Sequence, residues 1–313
     1  MKVGIIGAGL VGSTTAYTLA IEGTAREIVL VDINKVRAEA EADDIIHATA
    51  FKQDCTIYEG DYSDLKGADV VIITADGAPN FTASRLELVD SNTKMFKSII
   101  PGLVKYAPDS IIVVTTNPVD VMTMVALQLS GFPKSRVIGS GTVLDTARFR
   151  SLLAKYLDIS PQSLHALVLG EHGDSAVVSW SSACVGAICI EEFAAGIGRP
   201  LTSEIKAHIA EDVVQIAYRI YHGKKATYYG IAGALSTICK AVAKNERRVL
   251  TVSSLHENIE ELQNVCLSLP SVVGAGGVGN TLQPSLSADE LKKLRDSAEI
   301  LCKVQQQACS QLS

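Results

Sequence analysis

Positive charge is in short supply in this chain. It has 28 Lys and Arg against 34 Asp and Glu, a formal net charge of -6 over 313 residues. A nucleic-acid backbone would find no electrostatic attraction here. No apolar run reaches the length of a membrane span. The chain opens directly into a strand at Lys2 and a glycine loop at Gly7, unlike a signal peptide, so a cytoplasmic protein is expected. Cys-x-x-Cys is absent. Cys55, Cys184, Cys189, Cys239, Cys266, Cys302 and Cys309 are scattered and odd in number. That argues against a disulfide framework and against a zinc site, and leaves reduced, mostly buried thiols. Linkers, low-complexity stretches and internal repeats are also missing.

What is present is globular: 47% hydrophobic and 20% charged residues. The first half alternates. Val3–Ile6, Glu27–Asp32, Val70–Thr74 and Ile111–Thr115 are short runs rich in β-branched residues, each followed by enough polar or amphipathic chain for a helix. This predicts a parallel sheet covered by helices on both faces, an α/β doubly wound fold. Functional groups in such sheets gather at the carboxyl edge, where Gly7, Asp32, Ala75 and Asn117 fall. In the second half, Leu164–Leu169, Ala176–Trp180, Arg248–Ser253 and Cys266–Val273 read as strands. Ser203–His222, Ala226–Lys244 and Ser287–Gln311 read as helices, the last opened by a Ser287/Glu290 capping box. The boundary between the halves is placed near Asp145, giving a dinucleotide-binding domain over 1–145 and a mixed α/β substrate-binding, catalytic domain over 146–313.

Gly7-Ala-Gly9-Leu-Val-Gly12 follows a strand and precedes a helix-like run. Gly7 permits the tight turn, Gly9 lets the backbone approach a pyrophosphate, and Gly12 lets helix and strand pack closely. The helix N-terminus offers free N–H groups to the phosphates. Asp32, about 20 residues beyond the last glycine, would accept hydrogen bonds from a ribose and repel a 2′-phosphate. NAD is therefore the expected cofactor. Gly274-Ala-Gly276-Gly-Val-Gly279 matches the same pattern but lacks a following helix and βαβ unit, so it reads as a turn joining strands.

The reaction must come from other residues. His172 sits in Gly170-Glu-His172-Gly-Asp174, straight after an apolar strand. Asp145 and Arg148 lie three apart in a helical pattern and share a face, whereas Arg150 points elsewhere. Arg85 ends a loop before an apolar helical stripe, and Asn117 precedes Pro118 at a strand end. Reducing a 2-keto acid needs these residue types. A guanidinium such as Arg148 binds the carboxylate through two hydrogen bonds. A His near neutral pKa protonates the nascent alkoxide. A carboxylate such as Asp145 fixes the tautomer of that His. A second guanidinium, Arg85, polarises the carbonyl from a closing loop.

On GAGLVG, IVLVD, GDYSD, SRLELV, NPVD, RVIGSGTVLDTARFR, LGEHGD and KKATYYGIA, the chain resembles the lactate/malate dehydrogenase family from end to end, most of all its bacterial lactate branch. The resemblance implies a Rossmann domain followed by a mixed α/β substrate domain, NAD as cofactor, a small 2-keto or 2-hydroxy acid as substrate, a role in fermentative glycolysis and a homo-oligomer, read as a tetramer. It implies His172 as proton donor and acceptor, Asp145 as its partner, Arg148 as carboxylate binder and Arg85 as the loop arginine. Asn117 stands beside nicotinamide and substrate, and Thr227 lines the substrate pocket. Arg150 and His165 match positions that bind fructose 1,6-bisphosphate between subunits in allosteric members. One segment departs from the family pattern. The loop reads Asp76-Gly-Ala-Pro79-Asn80-Phe-Thr-Ala-Ser84-Arg85, which puts Pro79 at the position that discriminates substrates. Pro79 offers neither a side-chain donor nor a charge. Beside a lactate-forming enzyme, this leaves open one for bulkier 2-keto acids, one for malate and, outside catalysis, a non-catalytic NAD-binding protein.

Overall fold

The computed structural model describes residues 1–52, 54–77, 85–257 and 264–312; for Arg85 and Leu86 it describes the backbone alone. The first half runs β1 (Lys2–Ile6), α1 (Leu10–Ile21), β2 (Glu27–Val31), α2 (Lys35–Thr49), β3 (Thr56–Glu59), β4 (Val70–Ile73), α3 (Arg85–Tyr106), β5 (Ile111–Val114), α4 (Val119–Ser130) and β6 (Val137–Gly139). These six strands pair in parallel in the order β3-β2-β1-β4-β5-β6, the doubly wound Rossmann arrangement. The four strands legible in the sequence are buried on both faces, which is why they read as unbroken apolar runs. β3 and β6 were not anticipated. β3 is a half-exposed edge strand with mixed composition, and β6 has only three residues.

The second half runs α5 (Val143–Leu157), β7 (Leu164–Leu169), β8 (Val177–Val185), β9 (Ile188–Cys189), α6 (Ile190–Gly196), α7 (Ser203–Lys224), α8 (Tyr229–Ala243), β10 (Arg248–His256), β11 (Val265–Gly274), β12 (Gly277–Thr281) and α9 (Ala288–Ser310). β10, β11 and β12 join the first-half sheet as an antiparallel meander beside β6. β7, β8 and β9 form a separate antiparallel sheet. The Ser287/Glu290 capping box closes in both directions.

Alternate side chains of the large sheet face two cores. Ile6, Val29, Ile73 and Val114 pack with α3, α4 and α9. Val3, Ile28, Ile72 and Val113 pack with α1, α2 and α8. A third core, around Phe149, Leu153, Ala166 and Val213, joins α5, β7 and α7.

Three local expectations are corrected. α8 begins at Tyr229, not at Ala226, because α7 ends on Lys225 in the left-handed region and three residues are spent on the connection. β8 runs past Trp180 to Val185, since it must pair along all of β7 and then with β9. The thiols are not mostly buried: only Cys239 and Cys266 are, while Cys189 is exposed and the other four are half-buried.

Candidate active site

The glycine loop leaves β1 at the carboxyl edge of the sheet. Gly7 has φ 106° and donates its N–H to Val31 O at 2.8 Å. A Cβ on Gly12 would lie 1.9 Å from Gly7 O, so the first turn of α1 and the end of β1 touch backbone to backbone. A Cβ on Gly9 would meet nothing within 4 Å, leaving that backbone open to an approaching group. α1 starts after Gly9 with no side-chain cap and no acid in its first turn, so its leading N–H groups and positive dipole end are free for an anion. Asp32 follows β2; one oxygen accepts from Ala8 N at 2.6 Å and the other from Asn34 N at 2.8 Å. The loop and the acid therefore form one unit, and its open backbone and free N–H groups fit a dinucleotide. The second glycine pattern is the turn between β11 and β12, closed by Gly274 opposite Gly277.

The charged cluster is built across two elements. Thr142 Oγ1 donates to Val168 O at 2.5 Å, and Thr146 Oγ1 accepts from Val168 N at 3.0 Å. These two threonines, four apart on one face of α5 and its cap, fix the helix against β7. Asp145 between them is thereby brought to His172, three residues beyond the end of β7. Asp145 Oδ2 lies 2.5 Å from His172 Nδ1, and its Oδ1 accepts from Arg148 Nη1 at 2.8 Å. Arg150 turns away, donating Nε–H to Ala166 O at 3.0 Å, next to the exposed His165.

Burial works against charge in this cluster, but the partners prevail. Desolvation of Asp145 is outweighed by the charges and hydrogen bonds of His172 and Arg148, so its pKa is lowered. Desolvation of His172 is outweighed by Asp145, so the imidazole pKa is raised. With Nδ1 on Asp145, Nε2 is the nitrogen left to exchange a proton with a bound substrate. His172 keeps 26% of its side-chain surface exposed while the Asp145 side chain keeps 8%: the imidazole faces out and the carboxylate lies behind it.

The turn that carries His172 is held by residues to which the sequence reading assigned no role. His172 N donates to Asp120 Oδ2 at 2.8 Å. Gly170 and Ser268 exchange backbone hydrogen bonds at 2.9 Å, joining the small sheet to β11. Glu171, buried, is bonded to Ser175, and both Glu171 N and Ser175 Oγ meet Ser297 Oγ of α9, at 3.0 and 2.9 Å. Burial pushes the Asp120 pKa up to about 6. A signal for Asp120 did exist, since it is the lone acid in the otherwise apolar opening of α4. Asn92, fully buried on α3, donates to Asn117 O at 2.8 Å and Asp76 Oδ1 at 3.1 Å and accepts from Gly77 N at 2.7 Å.

The other anticipated residues divide. Asn117 is exposed at the end of β5, three residues before Asp120. Thr227 lies half-buried between α7 and α8, where Gly230 packs against Leu144, the neighbour of Asp145. Pro79 lies outside the described residues, and of Arg85 only its place at the start of α3 is described.

Comparison with known proteins agrees with this geometry. Residues 1–139 match the lactate/malate dehydrogenase NAD binding domain, and residues 142–311 match the alpha/beta C-terminal domain of the same family. The L-lactate dehydrogenase of Thermus aquaticus is 51% identical over 96% of this chain and 97% of its own length. That of Allorhizobium ampelinum is 48% identical over the same shares. Among solved structures, the minor L-lactate dehydrogenase of Enterococcus mundtii superposes with a TM-score of 0.94 at 37% identity, covering 98% of each chain. The chain belongs to the lactate/malate dehydrogenase family and is an NAD-dependent oxidoreductase of 2-hydroxy acids.

Proposed function

We propose that this protein interconverts pyruvate and L-lactate. The observation that carries the reading is the single carboxylate, Asp145, holding both the outward-facing His172 and Arg148. NADH, when bound, supplies hydride. Arg148 pairs with the substrate carboxylate, and Arg85, at the start of α3, polarises the ketone. His172, its imidazolium charge balanced by Asp145, gives its Nε2 proton to the oxygen and is left as neutral imidazole. Gly7, Gly9, Gly12 and Asp32 hold the dinucleotide, Asn117 orients nicotinamide and substrate, and Thr227 lines the pocket. In this reading the chain divides at Asp145 into nucleotide-binding and substrate-binding parts and works in the cytoplasm.

Pro79 bears on substrate choice. A second carboxylate entering a closed site without a cation would be desolvated and unpaired. Oxaloacetate should therefore be a poor substrate, and Pro79→Arg should improve it relative to pyruvate. NADH oxidation with a panel of 2-keto acids tests this: pyruvate should have the highest kcat/KM. A wild-type preference for oxaloacetate, or for a bulkier 2-keto acid, would replace the assignment.

The finer reading is a tetramer activated by fructose 1,6-bisphosphate through Arg150 and His165. Arg150 supports it by lying against the strand residue that follows His165. Burial, and then the charge of Arg248, lower its pKa, so cations crowd there. Two copies across a symmetric interface would repel until a bisphosphate bound. Activity at subsaturating pyruvate should then rise with the sugar bisphosphate, more so at mildly acidic pH, and Arg150→Gln should abolish the rise. Pyruvate saturation curves unmoved by the bisphosphate across that pH range would exclude it.

A further inference from the structure

The small sheet that carries the catalytic turn brings two thiols together at its opposite edge. β8 passes into β9 through Gly186 and Ala187, with Val185 opposite Ile188 and Gly186 at φ 61°. The next pair outward is Cys184 opposite Cys189. In a two-residue hairpin the closing pair exchanges hydrogen bonds, so strict alternation makes Cys184 and Cys189 a non-hydrogen-bonded pair. Such pairs stand about 4.5 Å apart at Cα with both side chains on one face. A disulfide spans Cα separations of about 4.4–6.8 Å. The register thus places two thiols within bridging range without moving a strand.

Their surroundings favour reaction. In the single chain Cys189 is exposed and Cys184 half-buried, so an oxidant reaches Cys189 first. On the other side of Cys184, on β7, stands His165, which is also exposed. The row therefore runs imidazole, thiol, thiol along one face of three strands. Most other thiols in the chain lack these features. Burial pushes Cys55 up to about 11 and Cys239 up to about 12, and raises Cys266 and Cys309, which keeps the thiolate form scarce in all four.

We propose that Cys184 and Cys189 form a redox-active pair that closes to a cross-strand disulfide when the protein meets a hydroperoxide. The Cys189 thiolate attacks one peroxide oxygen, the O–O bond breaks, and the departing oxygen leaves as water after taking a proton. Cys189 is then a sulfenic acid. The Cys184 thiolate attacks Sγ of Cys189, the S–S bond forms, and the sulfenic oxygen leaves as a second water. Two sulfurs together give up two electrons, the peroxide accepts them, and the products are one disulfide and two waters when the peroxide is hydrogen peroxide. A small dithiol reverses the link by exchange. The bond clamps the hairpin ahead of α6 and diverts Cys189 from irreversible further oxidation.

The full-length protein tests this directly. The segment 156–206, bounded by Lys155 and Lys206, contains these two cysteines and no other. After brief treatment of the folded protein with hydrogen peroxide, this segment should lose the mass of two hydrogen atoms and its reactivity to maleimide. Dithiothreitol should restore both. Cys184→Ser should instead leave Cys189 as a sulfenic acid trapped by dimedone, and Cys189→Ser should abolish the mass loss. Protein unfolded in urea should form the link more slowly than native protein, which separates the effect of register from nearness in sequence. The proposal is overturned if both cysteines stay open to maleimide after the peroxide has oxidised other thiols, if Cys189 goes to sulfinic acid while Cys184 remains free, or if unfolding does not slow closure.

Discussion

Asp145 stands directly behind His172, 2.5 Å from its Nδ1, and spends its second oxygen on Arg148. One buried carboxylate thus holds both the proposed proton donor, His172, and the proposed carboxylate binder, Arg148. Its charge is compensated by hydrogen bonds from both sides, which is the condition for keeping an ionised group inside a protein.

Asp145→Asn should take the charge out of both connections. An amide can still accept from Arg148, but its uncharged side chain no longer supports an imidazolium. With His172 as the proposed proton donor, ketone reduction should be present below its pKa and lost as pH rises through it. That limb lies above 6.5 in the wild type, because Asp145 outweighs burial. In the variant it should move down, and kcat/KM for pyruvate at neutral pH should fall by ~10² or more. Rate profiles across pH would refute this if the limb did not move.

Stability should follow the same groups. The contribution of His172, whose folded pKa is raised, is complete below 6.5 and lost as pH rises through the folded value. Asp145, whose folded pKa is lowered, contributes above 3.8 and loses its contribution as pH falls through the folded value. Asp120 acts in the opposite sense to Asp145: its folded pKa is about 6, so ionising it between 3.8 and about 6 costs stability. That shift corresponds to about 3 kcal/mol. Asp120→Asn keeps an acceptor for His172 N and removes the buried charge. Its Tm at pH 8 should equal or exceed that of the wild type. Its activity limb should shift down, because Asp120 also helps to raise the His172 pKa. A large loss of Tm at pH 8 would show that the ionised carboxylate is needed for the fold.

Gly9 and Gly12 should separate binding from folding. Gly12→Ala puts a methyl 1.9 Å from Gly7 O and should disturb the loop itself, lowering Tm and NADH affinity together. Gly9→Ala meets no protein atom within 4 Å and should fold normally. It should still weaken NADH binding by ~10-fold or more, worth ~1.4 kcal/mol, because the backbone must come close to the pyrophosphate. Fluorescence titration of NADH, beside thermal melts of both variants, distinguishes the two; tight binding by Gly9→Ala would remove the pyrophosphate from that position.

Asn92→Ala should untie Asp76 and Gly77 from Asn117. It removes part-buried hydrogen bonds from the Asn117 carbonyl and the Gly77 N–H, each worth about 0.5–1.5 kcal/mol net. Tm should drop accordingly, and kcat/KM for pyruvate should fall more than NADH affinity does. Equal losses in both would make Asn92 a general support of the sheet edge.

The residues differ in how much of their role the sequence could carry. The four apolar strands, the glycine loop with Asp32 and the capping box are local patterns, set by burial on both faces, backbone room and a three-residue reach. Asp145 and Arg148 share a helix face by spacing alone. The motifs also carried family membership, since each is a contiguous string. Contacts across long stretches of chain were not legible. Asp120 meets His172 across 52 residues, and Ser297 meets Glu171 across 126; nothing local marks such pairs. β3 and β6 escaped because an edge strand and a three-residue strand bury too little to impose a pattern. The joining of β10 to β6 escaped because strand pairing is decided by which edge is free once the parallel sheet has formed. By itself the sequence determined the chemistry available: one imidazole in a glycine turn, a carboxylate and guanidinium on one helix face, and a loop shaped for phosphates. Only the tertiary structure decided that these groups meet. It packs α5 on β7 through Thr142 and Thr146, and its folded interior is where a 2.5 Å contact between Asp145 and His172 outweighs the cost of burying both.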